Sequence, residues 1–177
     1  MNNRQRFEAH VLPHLDAAYN LARWLMRDDQ AAEDAVQDAS MRAFRYIDSL
    51  RGDDARPWLL GIVRNTCFTM LERLRQGPEL VDFDDAAFEA AAGLDALAGG
   101  SDPVQDLQRK RTRAQLDAAI AALSPVLREV TILREFEDLE YAQIAKIVSA
   151  PVGTVMSRLA RAREKLRGAL AHTSLGK

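Results

Sequence analysis

One cysteine, Cys67, stands among 177 residues. An internal disulfide framework is therefore excluded, and a reducing compartment is the expected setting. Glycine, with 9 copies, and proline, with 6, are too sparse for collagen-like or low-complexity chains. No apolar run approaches the roughly 18 residues of a membrane span, so no membrane insertion is expected. Met1–Arg6 is polar and no apolar run follows it, so no secretory signal is expected either. Glycine-rich phosphate loops and nucleophile elbows are missing. His10 and His14 lie one helical turn apart, but Pro13 sits between them and no third Cys or His is near, which is too little for zinc. The expectation is a cytoplasmic protein of one domain or two small ones, with no catalytic residue, no metal and no cofactor.

Charge is plentiful but unevenly placed. Residues 1–75 hold 11 Lys/Arg and 11 Asp/Glu, residues 76–108 hold 8 Asp/Glu and no Lys/Arg, and residues 109–177 hold 13 Lys/Arg and 7 Asp/Glu. The net charge of −2 conceals a basic C-terminal part next to an acidic stretch. That pattern suggests a nucleic-acid contact beside a polyanionic spacer, although a solvated and merely uneven surface has the same composition.

Periodicity is helical throughout, and the expected class is all-α, with two small helical domains joined by an acidic linker. Phe7, Val11, Leu15, Ala18, Ala22 and Leu25 recur at steps of three and four, as do Val36, Ala39, Ala43 and Ile47. A polar loop, Asp48–Ala55, precedes a third stripe of Leu59, Ile62, Thr66, Met70 and Leu74, which Gly77-Pro78 stops. The expected boundaries are 1–76 for a helical domain, 77–108 for the linker and 109–177 for a second helical domain. In the second part, Asp102-Pro103 and Ser124-Pro125 each open a helix, the latter ending near Phe136. A short helix over Tyr141–Val148, a break at Ser149-Ala150-Pro151 and a basic helix from Val152 to about Ala169 complete the chain.

Two helices around a three-residue break, the second one basic, suggest a helix-turn-helix. On that second helix Val155, Leu159, Ala162 and Leu166 share one arc, Thr154, Ser157, Arg158, Arg161 and Lys165 another, and Arg163 and Arg167 a third. A major-groove reader needs this division between a packing face and a donor face. An ordinary amphipathic surface helix has it too.

The run from Tyr141 to Arg167, above all Pro151-Val-Gly-Thr-Val-Met-Ser-Arg-Leu-Ala-Arg-Ala-Arg163, resembles domain four of the extracytoplasmic function sigma factors, group 4 of the sigma-70 family. Ala32-Glu-Asp-Ala-Val-Gln-Asp38 with Ala43-Phe44-Arg45, and Trp58-Leu-Leu-Gly-Ile-Val-Arg-Asn65, resemble domain two of the same group. The resemblance covers about residues 5–76 and 110–170, in the family's order. Two departures stand out. Ser149 occupies a turn position where the family commonly has Gly, and Asp138-Leu139-Glu140-Tyr141 replaces Gly-Leu-Ser-Tyr, which removes the usual Ser cap.

The resemblance implies a transcription initiation factor for promoter DNA and core RNA polymerase, held through the β′ clamp and the β flap. Glu33, Asp34, Gln37 and Asp38 would bind the polymerase. Arg51, Gly52, Asp53 and Asp54 would form the loop that holds an unpaired base of the −10 element, with Asn65 on a base edge and Arg56 and Arg64 on phosphates. Thr154, Ser157, Arg158 and Arg161 would read the −35 element, with Arg163 and Lys165 on phosphates. An anti-sigma partner is implied as well, and so is a connector near the template and RNA path. Trp58 remains open between a stacking platform and a core side chain, and Cys67 between core and redox sensor. The main rival is a duplex-binding repressor or activator. It would leave the domain-two motifs without a role.

Overall fold

The computed structural model describes residues 2–52, 54–76 and 103–174. Asp53 and residues 77–102, most of the acidic stretch, lie outside the described residues. Among the described residues there is helix and no strand. The N-terminal unit contains α1 (Asn3–His10), α2 (Leu15–Met26), α3 (Asp29–Arg45) and α4 (Ala55–Arg75). The C-terminal unit contains α5 (Pro103–Ala121), α6 (Pro125–Thr131), α7 (Tyr141–Val148) and α8 (Val152–Ser174).

Local chemistry sets the ends of these helices. Asn2 and Gln5 cap α1 reciprocally through bonds of 2.9 and 3.0 Å. Pro13 falls in a single 3₁₀ turn, Leu12–His14, which separates α1 from α2 and divides the first apolar stripe. The Asp28 carboxylate accepts the Ala31 N–H at 2.7 Å and starts α3. The buried face of α3 is alanine alone, Ala32, Ala35, Ala39 and Ala43. Small side chains let it lie close to α2 and α4. Ile47 falls beyond the end of α3, in a 3₁₀ turn over Ile47–Ser49, yet is fully buried.

Helix α4 departs most from its simple stripe. Leu59 and Thr66 are buried as the spacing requires, with Val63 on the same face, but so are Leu60 and Cys67 to one side of it, while Leu74 is exposed. The reason is position: α4 packs against α7 as well as against α2 and α3. Trp58 is half-buried and packs on this core. Cys67 has no exposed surface, and burial pushes its thiol up to about 12, so it is a core side chain.

In the C-terminal unit α6 continues as a π-helical turn over Ile132–Phe136. Residues 103–108, counted with the acidic stretch by charge, form the first turns of α5. Helix α8 runs to Ser174, five residues beyond the expected end. Glu140 stands at the N-cap of α7, and its N–H donates to Gln143 Oε1 at 2.9 Å. A side chain of α7 itself thus supplies a cap that the missing serine does not.

Ser149 ends α7 in the left-handed region, φ 52°. A Cβ in that region costs about 1–2 kcal/mol, part of which a glycine gives back as chain entropy. Ser149→Gly is therefore expected to stabilise the protein by up to about 1 kcal/mol, a rise in thermal midpoint of about 2–4 °C. A midpoint equal to or below that of the parent protein would contradict the assignment of strain to this turn.

The two units share one continuous core. Leu21, Leu59 and Val63 from the first and Ile120, Val130, Ile144 and Val155 from the second belong to a single buried cluster.

Candidate nucleic-acid interface

The helix-turn-helix is built as its sequence pattern requires. Pro151 accepts the Thr154 and Val155 N–H groups at 3.0 and 3.1 Å and so opens α8. Val155, Leu159 and Ala162 are buried against the rest of the unit, and Leu166 is half-buried. The opposite face is open: Ser157, Arg161 and Lys165 are exposed, and Thr154 is half-buried. Ser157 donates its hydroxyl to the Thr154 carbonyl at 3.0 Å. Arg163 is exposed but engaged, with Nη2 2.7 Å from Glu135 Oε1, and this hydrogen bond raises its pKa. An exposed pair of this kind is worth at most about 1 kcal/mol and yields readily to a phosphate.

Arg158 differs. It is half-buried, and its Nη1 lies 4.0 Å from Glu129 Oε1. Glu129 is fully buried. Its other partner is Arg64 of α4, whose Nε lies 2.8 Å from Oε2 and whose Nη2 lies 3.3 Å from Oε1. Burial pushes the Glu129 carboxyl up, and the Arg64 and Arg158 guanidinium groups draw it back only in part.

The residues expected at the −10 element are divided by this packing. Arg51, Gly52, Asp54 and Asn65 are exposed, and Asp53 lies outside the described residues. Gly52 takes φ 78°, so the loop turns where only glycine does so freely. Arg56 is ion-paired with Glu137, which also accepts from Asn20 Nδ2 at 2.9 Å. Asp54 accepts from Gln143 Nε2 at 3.0 Å. Arg64 lies over the Phe68 ring, 4.2 Å from its centroid, and also donates to Asn65 Oδ1 at 3.3 Å. Arg56, Arg64 and Asp54 thus contact the C-terminal unit, whereas Arg51, Gly52 and Asn65 face outward.

On α3, Glu33, Asp34 and Gln37 are exposed, and half-buried Asp38 pairs with Arg42 Nη2 at 3.0 Å. Beside them lies an open groove of about 590 Å³ lined by Phe7, Gln37, Ser40, Met41, Phe44 and Arg45. Met41 is 59% and Phe44 46% exposed, so this acidic-polar face carries an apolar patch that the choice of site residues left out. The signal was in the sequence: Met41 and Phe44 continue from Gln37 at steps of four and three, away from the alanine face. Among the described residues, no group of three or more His, Cys, Asp or Glu is placed to hold a metal ion.

Comparison with known proteins gives concordant matches. The family model described as Sigma-70 region 2 matches residues 10–77, and that described as Sigma-70, region 4 matches residues 113–166. The RNA polymerase sigma-H factor of Pseudomonas aeruginosa is 35% identical over 171 residues, covering 95% of this chain and 88% of that protein. The ECF RNA polymerase sigma-E factor of Escherichia coli K12 is 37% identical over 134 residues, covering 75% of this chain and 70% of that protein. Among solved structures, the sigma factor RpoE of Bartonella quintana, in complex with the anti-sigma factor NepR, superposes with a TM-score of 0.71 at 28% identity, covering 97% of this chain and 98% of that one. CnrH, solved with the cytosolic domain of CnrY, shares the fold with a TM-score of 0.62.

Proposed function

We infer the roles of individual residues from the premise that this chain belongs to the sigma-70 family, as an extracytoplasmic function sigma factor of bacterial RNA polymerase. It is a transcription initiation factor that directs polymerase to specific promoters. It acts without an active site of its own and works in the cytoplasm. Among the described residues, no helix is long and apolar enough to cross a membrane.

In this reading α3 docks on the β′ clamp of core polymerase through Glu33, Asp34, Gln37 and Asp38, with Met41 and Phe44 supplying apolar contact. Carboxylates at such an interface chiefly orient the partners and select between them. Arg51, Gly52, Asp53 and Asp54 hold an unpaired base of the −10 element. Asn65, which carries both a donor and an acceptor, reads a base edge, and Arg56 and Arg64 hold phosphates. Ser157, Arg158 and Arg161, with Thr154, read the −35 element in the major groove, and Arg163 and Lys165 hold its phosphates. The C-terminal unit also meets the β flap. A partner comparable to NepR, an anti-sigma factor, holds the protein inactive until a stress signal arrives.

One observation carries this reading: the outward donor face of α8 and the acidic-apolar face of α3 are exposed on one chain. A simple duplex-binding regulator has no use for the second face. The double charge reversal Glu33→Lys/Asp34→Lys is expected to weaken core polymerase binding about ten-fold or more, measured by competition, with helical content unchanged. Unchanged affinity would remove α3 from the docking surface.

A further inference from the structure

Helix α8 exposes apolar side chains that hydrogen-bonded base reading does not use. Val152 is 41% and Met156 51% exposed, and among the described residues no other large apolar side chain of α8 is as open. The others turn inward: Val155 and Leu159 are buried and Leu166 is half-buried. Val152 and Met156 lie four residues apart at the start of the helix, so they stand one above the other on one side of it. At about 3.6 residues per turn, Arg163 falls on that same side. Thr154, Arg158 and Lys165 fall on the other, with Ser157 and Arg161 between. Gly153 follows Val152, and a Cβ there would meet nothing within 4 Å. The protein's own packing therefore does not call for glycine at this position, although glycine weakens a helix. Its bare backbone leaves room for whatever lies against α8.

The leading turns of a helix-turn-helix reader are the ones that meet base edges. Those edges present hydrogen-bond donors and acceptors in the major groove, and one apolar group, the C5-methyl of thymine. A valine or methionine set against a donor or acceptor strips its water and returns no bond. Set against a methyl group, it removes apolar surface from water on both partners. C5 is also the part of the base edge nearest the backbone of its own strand. The side of α8 that carries Arg163, assigned to a phosphate, is the side that carries Val152 and Met156. An apolar pair placed there meets the methyl groups of the strand whose backbone Arg163 holds.

We propose that Val152 and Met156 read the C5-methyl groups of thymines in the −35 element, so that this protein selects thymine at one or two positions beside those read by its arginine donors. The proposal rests on the sigma-factor reading above and adds a base identity to it. Discrimination at these positions comes from a methyl group rather than from hydrogen bonds. Arg161 selects guanine through donors, and the apolar pair selects thymine through shape and burial.

The test uses the full-length protein with core polymerase, on a promoter that it transcribes. Each −35 thymine, on either strand, is replaced in turn by deoxyuridine, which differs only in lacking the C5-methyl group. At one or two positions the replacement is expected to lower the promoter affinity of the parent holoenzyme about four-fold, the worth of burying one methyl group. Met156→Ala is expected to lose a similar factor on the thymine promoter, and to lose little more when the thymine that it reads is already deoxyuridine. Val152→Ala is expected to behave in the same way at its own position. Both side chains are exposed, so helical content should match that of the parent. The deoxyuridine series on the parent protein needs no variant at all.

A −35 element without thymine, or parent affinity unchanged at every deoxyuridine position, would overturn the proposal. So would a loss for Met156→Ala that is as large on every deoxyuridine promoter as on the thymine one, which would set the side chain against a protein partner such as polymerase. Transcription by the parent protein separates this proposal from the reading beneath it. If the parent transcribes and is indifferent to every methyl group, only the methyl reading fails. If the parent directs no transcription from any promoter fragment, the sigma-factor reading fails and the methyl reading fails with it.

Discussion

Arg128→Ala is expected to destabilise the protein by about 3 kcal/mol or more, the range for removing one member of a buried charged network. The Arg128 guanidinium is almost fully buried and serves as a cap for α5. It donates to the carbonyls of Ile120, Ala121 and Leu123 at 3.3, 2.5 and 2.7 Å, and to Trp24 of α2 at 3.2 Å. The last carbonyls of a helix have no partner within it, and they lie at its negative end. A buried fork of donors satisfies several at once. Alanine leaves these acceptors without that donor and leaves a void where the side chain was. For a protein of this size the thermal midpoint should fall by about 6–12 °C. Arg128→Lys should recover only part of this, because an ammonium cannot reproduce the planar fork. A fall of less than about 2 °C in the alanine variant would show that water replaces the guanidinium without cost.

Arg161→Ala is expected to reduce transcription from promoters with a guanine in the −35 element by about 10–100-fold, the loss of one bidentate arginine–guanine contact. Arg161 is exposed on the donor face of α8, one turn from Ser157 and Arg158, and no ion pair engages it among the described residues. Docking of α3 on core polymerase should not change, because the substitution lies on the exposed face of α8 and leaves its buried stripe intact. Arg161→Lys should keep phosphate affinity while losing discrimination at one base position. Run-off transcription on promoters varied at single −35 positions reads both effects. Equal activity of parent and alanine variant on every such promoter would exclude Arg161 from base reading.

Local signals account for most of what was legible in the sequence. The break after Val148, the start of α8 at Val152 and its buried stripe follow from periodicity and Pro151, all within a few residues. Pro13 divides the first apolar stripe, which spacing alone runs unbroken from Phe7 to Leu25, into α1 and α2. Ile47 shows the limit. It obeys the helical spacing of α3 and is buried, but the helix has already ended and a 3₁₀ turn carries it inward.

What joins the two units was not legible. Glu129, Glu137 and Arg128 are charges that no helical periodicity marks as core, and they are buried where groups of α2 and α4 meet the C-terminal unit. Arg56 and Arg64 likewise read as free cations. Their carboxylates lie 81 and 65 residues away, beyond the reach of any periodic pattern. The wide buried face of α4 has the same origin: Leu60 and Cys67 are buried beside the Leu59–Thr66 stripe, and α4 packs against α7 as well as against α2 and α3.

The central claim is that this chain selects promoters for RNA polymerase. Transcription reconstituted from core polymerase, the purified protein and a pool of promoter fragments from the source genome tests it most directly. The account predicts discrete transcripts that require the protein, with start sites that place one shared motif near −10 and another near −35. No protein-dependent transcript, together with specific duplex binding by the protein alone, would contradict it.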